Sequence, residues 1–176
     1  MTHPTLGYYL MMDPLQKILI SSCLLGDPVR YDGRSKPVNH LLIEQWRNEG
    51  RLISVCPEVS GGLPIPRPAA EIQRLSGDTP NLQKRQVITI DGQNVSDAFD
   101  KGAAIALHLC RLHQIKIAVL KQFSPSCGSD QIYDGTFSGV KITGVGVTCQ
   151  LLRENGIAVF SEQTLDQIAS YLHQLT

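Results

Sequence analysis

Polar and apolar positions along the chain fall into two alternating kinds of run. Short stretches rich in β-branched residues read as strands: KILIS at 17–21, RLISV at 51–55, QVITIDG at 86–92, IKIAVLK at 115–121 and GIAVFSE at 156–162. Other stretches carry apolar residues three and four apart and read as amphipathic helices. One covers 38–50, with Leu41, Leu42 and Trp46 inward and Gly50 as its stop. A second takes Asn94 or Ser96 as N-cap and runs to about His113, with Ala98, Phe99, Ala103, Ile105, Ala106, Leu109 and Leu112 on its apolar face. A third spans 144–155 and stops at Gly156, and a closing helix puts Leu165, Ile168, Leu172 and Leu175 on one side. The segment 59–85, full of Pro and Gly and short of periodicity, reads as a long surface excursion. Asp134-Gly135 and Ser138-Gly139 read as turns.

Strand and helix alternate throughout, which predicts an α/β fold: a mainly parallel sheet with helices on both faces, Rossmann-like, with the 17–21 strand central. The expected organisation is a single domain over 17–176 behind an N-terminal tail at 1–16.

Composition narrows the partners. Sixteen basic and sixteen acidic residues balance, so no general field draws the chain to nucleic acid or an anionic membrane, and long nucleic acid is a poor partner. The opening MTHPTLGYYLMMDPLQ has neither a basic leader nor a membrane-length apolar run, which predicts a cytoplasmic protein. The chain has 5 cysteines. An odd set without a secretion signal argues against a disulfide framework.

Cys110 and Cys149 lie inside helical stretches and read as small core hydrophobes. Cys23, Cys56 and Cys127 differ. Each follows a strand and sits among small, turn-forming neighbours, in SSC, CPE and SPSCG. In a parallel sheet the loops leaving the carboxyl ends of strands converge on one edge, where ligands bind. The fold would therefore gather three thiols that are far apart in sequence. Soft sulfur ligands favour zinc or an iron-sulfur cluster over oxygen-loving ions, and three ligands leave one metal position open. Burial of each thiol as a packing residue stands beside this reading.

The blocks SSCLLGDPVRYDGRSKP, VCPEVSGGLPIPRPAAEI and LKQFSPSCGS occur in order and resemble the signatures of the bacterial DUF523 proteins, whose characterised members are thiouracil desulfidases. The resemblance runs from about Lys17 to Ala169. It implies a [4Fe-4S] cluster held by Cys23, Cys56 and Cys127. The fourth iron is then free to accept the sulfur of a thiolated pyrimidine, so that thiouracil leaves as uracil. It also implies catalytic roles for Glu58, as proton shuttle, and Ser124, as hydrogen-bond partner of the base. A plainer reading has Glu58 cap a helix or pair with Arg67 and leaves Ser124 as a turn residue. Tyr31 is a candidate to stack on the base, and Gly61 and Gly62 to let the backbone approach it. Arg30, Arg34, Lys36 and Arg67 are candidates to balance cluster charge or bind a phosphate. His40, His108, His113 and His173 read as structural or surface residues. Two other functions fit the same thiols: a sulfide carrier or sensor, and a zinc hydrolase.

Overall fold

The computed structural model describes residues 16–74 and 85–174. Its organising element is β1 (Ile18–Ser21), an apolar run with no exposed residue. It is parallel to β2 (Leu52–Val55) on one side and to β5 (Ile117–Leu120) on the other, and β5 is parallel to β8 (Ala158–Ser161). The four-stranded sheet has the order β2-β1-β5-β8. The chain departs from β1 toward β2 and returns to β5 on the opposite side, so the order switches direction between β1 and β5. Such a switch opens a crevice at the carboxyl ends of the strands.

Both faces of the sheet are covered, which is why its strands read as continuous apolar runs. Leu19, Ala118 and Leu120 pack against Ala106, Leu107 and Cys110 of α3 (Ser96–Leu112) and against Cys149 and Leu152 of α4 (Val147–Glu154). On the other face Ile18, Ile20, Ile117 and Val119 meet Ile43 and Trp46 of α1 (Leu41–Asn48) and Leu165 and Ile168 of α5 (Leu165–Gln174). The expected α/β architecture with helices on both faces is the observed one.

Two antiparallel hairpins lie outside this sheet: β3 (Ala70–Arg74) with β4 (Arg85–Thr89), and β6 (Gln131–Tyr133) with β7 (Lys141–Thr143). Ile72, Val87 and Ile132 of these hairpins share a third apolar cluster with Phe99 and Ala103 of α3. The reading of 59–85 as an unstructured excursion is thereby corrected, because Ala70–Arg74 is a strand with its partner in β4. Residues 75–84 lie outside the described residues, as does the predicted tail except for Gln16.

Two helix faces also need correction. Leu41 is 81% exposed at the first position of α1, and Ile43 takes the inward position with Trp46. Leu112 is exposed at the end of α3, and Cys110 is the buried residue of that last turn. The expected N-cap is also displaced: Val95, whose side chain makes no cap bond, precedes α3, and Asn94 Oδ1 accepts the Ser96 backbone N–H at 3.0 Å one residue further out. Of the predicted closing face, Leu165 and Ile168 are buried, and Leu175 lies outside the described residues.

One close approach fixes the site side of the fold. The short helix α2 (Pro57–Ser60) lies directly on α3. A Cβ on Gly61 would come within 1.9 Å of the Ala98 carbonyl oxygen, and one on Gly102 within 2.0 Å of the Pro57 carbonyl oxygen. Backbone cannot yield as a flexible side chain does. Gly102→Ala should therefore lower stability by roughly 1–3 kcal/mol through overpacking, read as a lower denaturant midpoint in equilibrium unfolding. Gly26→Ala, with open space around its Cβ position, is the control for mere loss of a glycine and should show only its left-handed backbone strain, about 1–2 kcal/mol.

Candidate active site

Three segments leave the carboxyl ends of β1, β2 and β5 side by side. After Ser21 the chain turns at once into a 3₁₀ turn, Ser22–Leu25, which carries Cys23 and closes at Gly26 with φ 109°. After Val55, Cys56 is the N-cap residue of α2, and Pro57 at its first position suits a helix start. After Leu120 a loop reaches Cys127, and its shape is set by Ser124. The Ser124 hydroxyl accepts the backbone N–H groups of Ser126 at 3.0 Å and of Cys127 at 3.1 Å. The Ser124 carbonyl accepts from Gly128 N–H at 2.8 Å.

Cys23, Cys56 and Cys127 line one pocket of about 650 Å³. Cys23 and Cys127 are buried and Cys56 is partly so. Ser21 Oγ lies 3.6 Å from Cys127 Sγ. Burial, and then the neighbouring Cys56, push the Cys23 thiol up to about 11, against the opposing pull of Lys121 and Arg30. Burial likewise pushes Cys127 and Cys56 above the usual thiol range. Thiols in this state are poor nucleophiles at neutral pH, because the thiolate is the reactive form. Metal binding displaces such protons, but burial raises the core thiols Cys110 and Cys149 as well, so what sets these three apart is their place in one pocket. Among the described residues no group of three His, Cys, Asp or Glu side chains is close enough together to hold a single metal ion.

Glu58 and Ser124 also line this pocket, and they touch. Ser124 Oγ donates to Glu58 Oε1 at 3.2 Å, while Arg67 holds the other oxygen, with Nη2 at 2.7 Å and Nε at 2.8 Å. The plain reading of Glu58 as partner of Arg67 is thus realised inside the pocket wall. Arg67 Nη1 and Nη2 each donate to the Val29 carbonyl at 3.1 Å, so this guanidinium also anchors the loop that carries Tyr31.

Tyr31, Arg30 and Lys36 line the pocket, whereas Arg34 does not. Gly61 and Gly62 are absent from its wall as well. Gly61 is instead buried against the α3 backbone, so its glycine serves helix packing. His40 Nδ1 accepts from Leu42 N–H at 3.2 Å and caps α1, and His108 and His113 are exposed. Cys110 and Cys149 sit in the core away from the pocket, as expected.

Several wall residues escaped the sequence reading. Lys121 and Glu162 form an ion pair across the pocket floor, one residue beyond β5 and β8. The strand-end rule that found the cysteines would have found them too. Phe123 and Phe137 add aromatic surface from left-handed backbone conformations, φ 70° and φ 56°. No residue pattern announces those. Glu71 lines the pocket and accepts the Gly135 and Phe137 N–H groups at 2.9 and 3.0 Å.

A parallel α/β sheet gathers two buried thiols and one partly buried thiol from the ends of neighbouring strands around a pocket with a paired carboxylate, an arrangement of the kind that could hold a metal centre beside a small substrate. The model of the 2-thiouracil desulfurase family matches residues 18–164, and the chain belongs to that family. Among curated proteins it is 40% identical over 154 residues to the uncharacterized protein YbbK of Bacillus subtilis, covering 86% of this chain and 99% of that one. Among solved structures it is similar to the [4Fe-4S]-dependent thiouracil desulfidase TudS, at 47% identity and a TM-score of 0.82, covering 90% of this chain and 99% of that one. These findings agree with the resemblance read from the three cysteine blocks.

Two outcomes follow from the geometry. Arg67→Ala strands the Glu58 carboxylate in a mostly buried position and should cost about 3 kcal/mol, measured by urea unfolding. In metal-free protein, alkylation of Cys23 should be slow at pH 7 and rise about tenfold per pH unit until it levels near its pKa of about 11, followed by peptide mass spectrometry.

Proposed function

We propose that the protein is an enzyme that converts thiouracil, or a closely related small thiolated pyrimidine, to the corresponding oxo base and sulfide, using a [4Fe-4S] cluster held by Cys23, Cys56 and Cys127. The observation that carries this reading is the meeting of three thiols from the carboxyl ends of three neighbouring parallel strands in one pocket. The likeness to TudS and the family membership support it. When bound, such a cluster supplies a thiophilic iron without a protein ligand, able to take the departing sulfur.

The remaining chemistry falls to the chain. Desulfuration is hydrolysis without net oxidation or reduction: water adds to the thiocarbonyl carbon, the carbon-sulfur bond breaks, and the carbonyl forms as sulfide leaves. Water must lose protons while the sulfur gains negative charge. Glu58 Oε1 is free of the guanidinium that holds Oε2, and it shares a hydrogen bond with Ser124. Glu58 takes the proton from water, and Ser124, whose hydroxyl bridges Glu58 and the Cys127 turn, keeps that carboxylate aimed at the substrate. Tyr31 offers an aromatic face at the pocket mouth, where it is 44% exposed.

Among the described residues no helix is long and apolar enough to cross a membrane. Five free cysteines suit the reducing cytoplasm.

Anaerobically reconstituted protein should turn brown and release sulfide and uracil from thiouracil in equal amounts. Serine at position 23, 56 or 127 should each abolish stable iron uptake, whereas Cys110→Ser should retain it. Glu58→Gln should keep its iron and lose about 10²–10⁴-fold in kcat. An intact cluster that turns over no thiolated pyrimidine would overturn the enzymatic reading in favour of a sulfide carrier.

A further inference from the structure

Ser21 closes the central strand and is 3% exposed. The ladder between β1 and β5 ends one residue earlier, at Ile20 and Val119. Beyond that point the Ser21 side chain continues the link, because its Oγ accepts the backbone N–H of Lys121 at 3.0 Å. The same oxygen lies 3.6 Å from Cys127 Sγ, within the range of a hydrogen bond to sulfur. A hydroxyl has one proton. With its oxygen engaged as acceptor from Lys121, that proton is aimed at the sulfur.

We propose that the Ser21 hydroxyl is a tuning group for the Cys127 ligand, drawing electron density from its sulfur and so making the metal centre a stronger acceptor for the substrate's sulfur. This rests on Cys127 being a ligand, as proposed above. A metal-bound thiolate carries no proton, so the bond then runs in one direction only, from O–H to sulfur, and becomes charge-assisted. Hydrogen bonds to ligand sulfurs are among the protein's means of setting the potential of an iron-sulfur centre. The two neighbours of this contact serve a second purpose: Lys121 N–H fixes the Ser21 hydroxyl oxygen, and the Ser124 hydroxyl fixes the Cys127 turn by accepting the Cys127 N–H. Both ends of the contact are therefore held by backbone, and the hydroxyl cannot swing away without breaking the strand-end link.

The test compares reconstituted wild type, Ser21→Thr and Ser21→Ala by reduction potential and by the iron-cysteine stretching bands in resonance Raman spectra, in H₂O and D₂O. Wild type and Ser21→Thr, which keeps the hydroxyl, should share one potential and show bands that move in D₂O. Ser21→Ala should have a more negative potential, higher stretching frequencies and a smaller isotope shift. Equal potentials and spectra in Ser21→Ala and wild type at equal iron content would overturn the proposal and leave Ser21 as a strand-end brace. Should Ser21→Ala fail to fold or load, wild type alone decides, since bands that do not move in D₂O also overturn it. A wild-type protein that takes up no cluster overturns the ligand reading itself, a failure distinct from the others.

Discussion

The site depends on one constraint, the parallel pairing of β1 with both of its neighbours. Because β2, β1 and β5 run the same way, the chain leaves all three at one edge. Cys56 follows β2 directly, Cys23 lies two residues past β1, and Cys127 hangs from the loop after β5. Reversing β2 alone would carry Cys56 to the other end of a four-residue strand, about 13 Å away at about 3.3 Å per residue. The pairing is secured by burial rather than by the thiols. All of β1 and β5 are buried, with alternate side chains committed to opposite helical layers. A register slip by one residue would exchange the two layers. The gathering of the three thiols is thus a by-product of a sheet that is stable for hydrophobic reasons.

A second tier of contacts turns converging strand ends into a chemical site. The glycine-mediated approach of α2 to α3 sets the height of Cys56 and Glu58 above the sheet. Arg67 then joins Glu58 to the Val29 carbonyl, and Ser124 joins Glu58 to the turn that presents Cys127. Each polar group in this chain has a fixed partner on a different segment. Such cross-linking matters more here than the energy of any one bond, because it holds the Glu58 carboxylate and the Cys127 turn in a common frame.

What the sequence shows and what it hides divide along physical lines. Strands buried on both faces announce themselves as continuous apolar runs, so β1 and β5 are legible, and the edge strands β2 and β8, partly exposed, keep enough of the pattern to be read as well. The strands β3 and β7 each place a single buried or half-buried isoleucine, Ile72 and Ile142, between polar residues, and acquire their identity only from a partner strand. The same holds for helix faces. Leu41 fits the helical period as well as Ile43 does, but the period does not say which of them turns inward. In the site, strand-end position and soft chemistry pick out the cysteines, yet the same positional rule was not extended to Lys121 and Glu162, which carry no such chemical flag. Gly61 was legible as a glycine with a purpose. Its neighbour in space is α3, 37 residues further on at Ala98, so the purpose was not legible.

The raised thiol pKa values connect burial to the order of assembly. Desolvation is the first cause at Cys23, Cys56 and Cys127 alike, so a metal-free pocket holds three neutral thiols. A centre that binds there must expel those protons, which makes loading more favourable as pH rises through the thiol range. Afterwards the thiolates would be charged in a place that disfavours charge. The groups that offset this are already present: Lys121 and Arg30 both lower the Cys23 value, and the Ser21 hydroxyl lowers that of Cys127. Lys121 is itself paired with Glu162 at the next strand end. That pairing holds the lysine beside the thiols whether or not they are ionised, so the pocket is arranged in advance for the charged state.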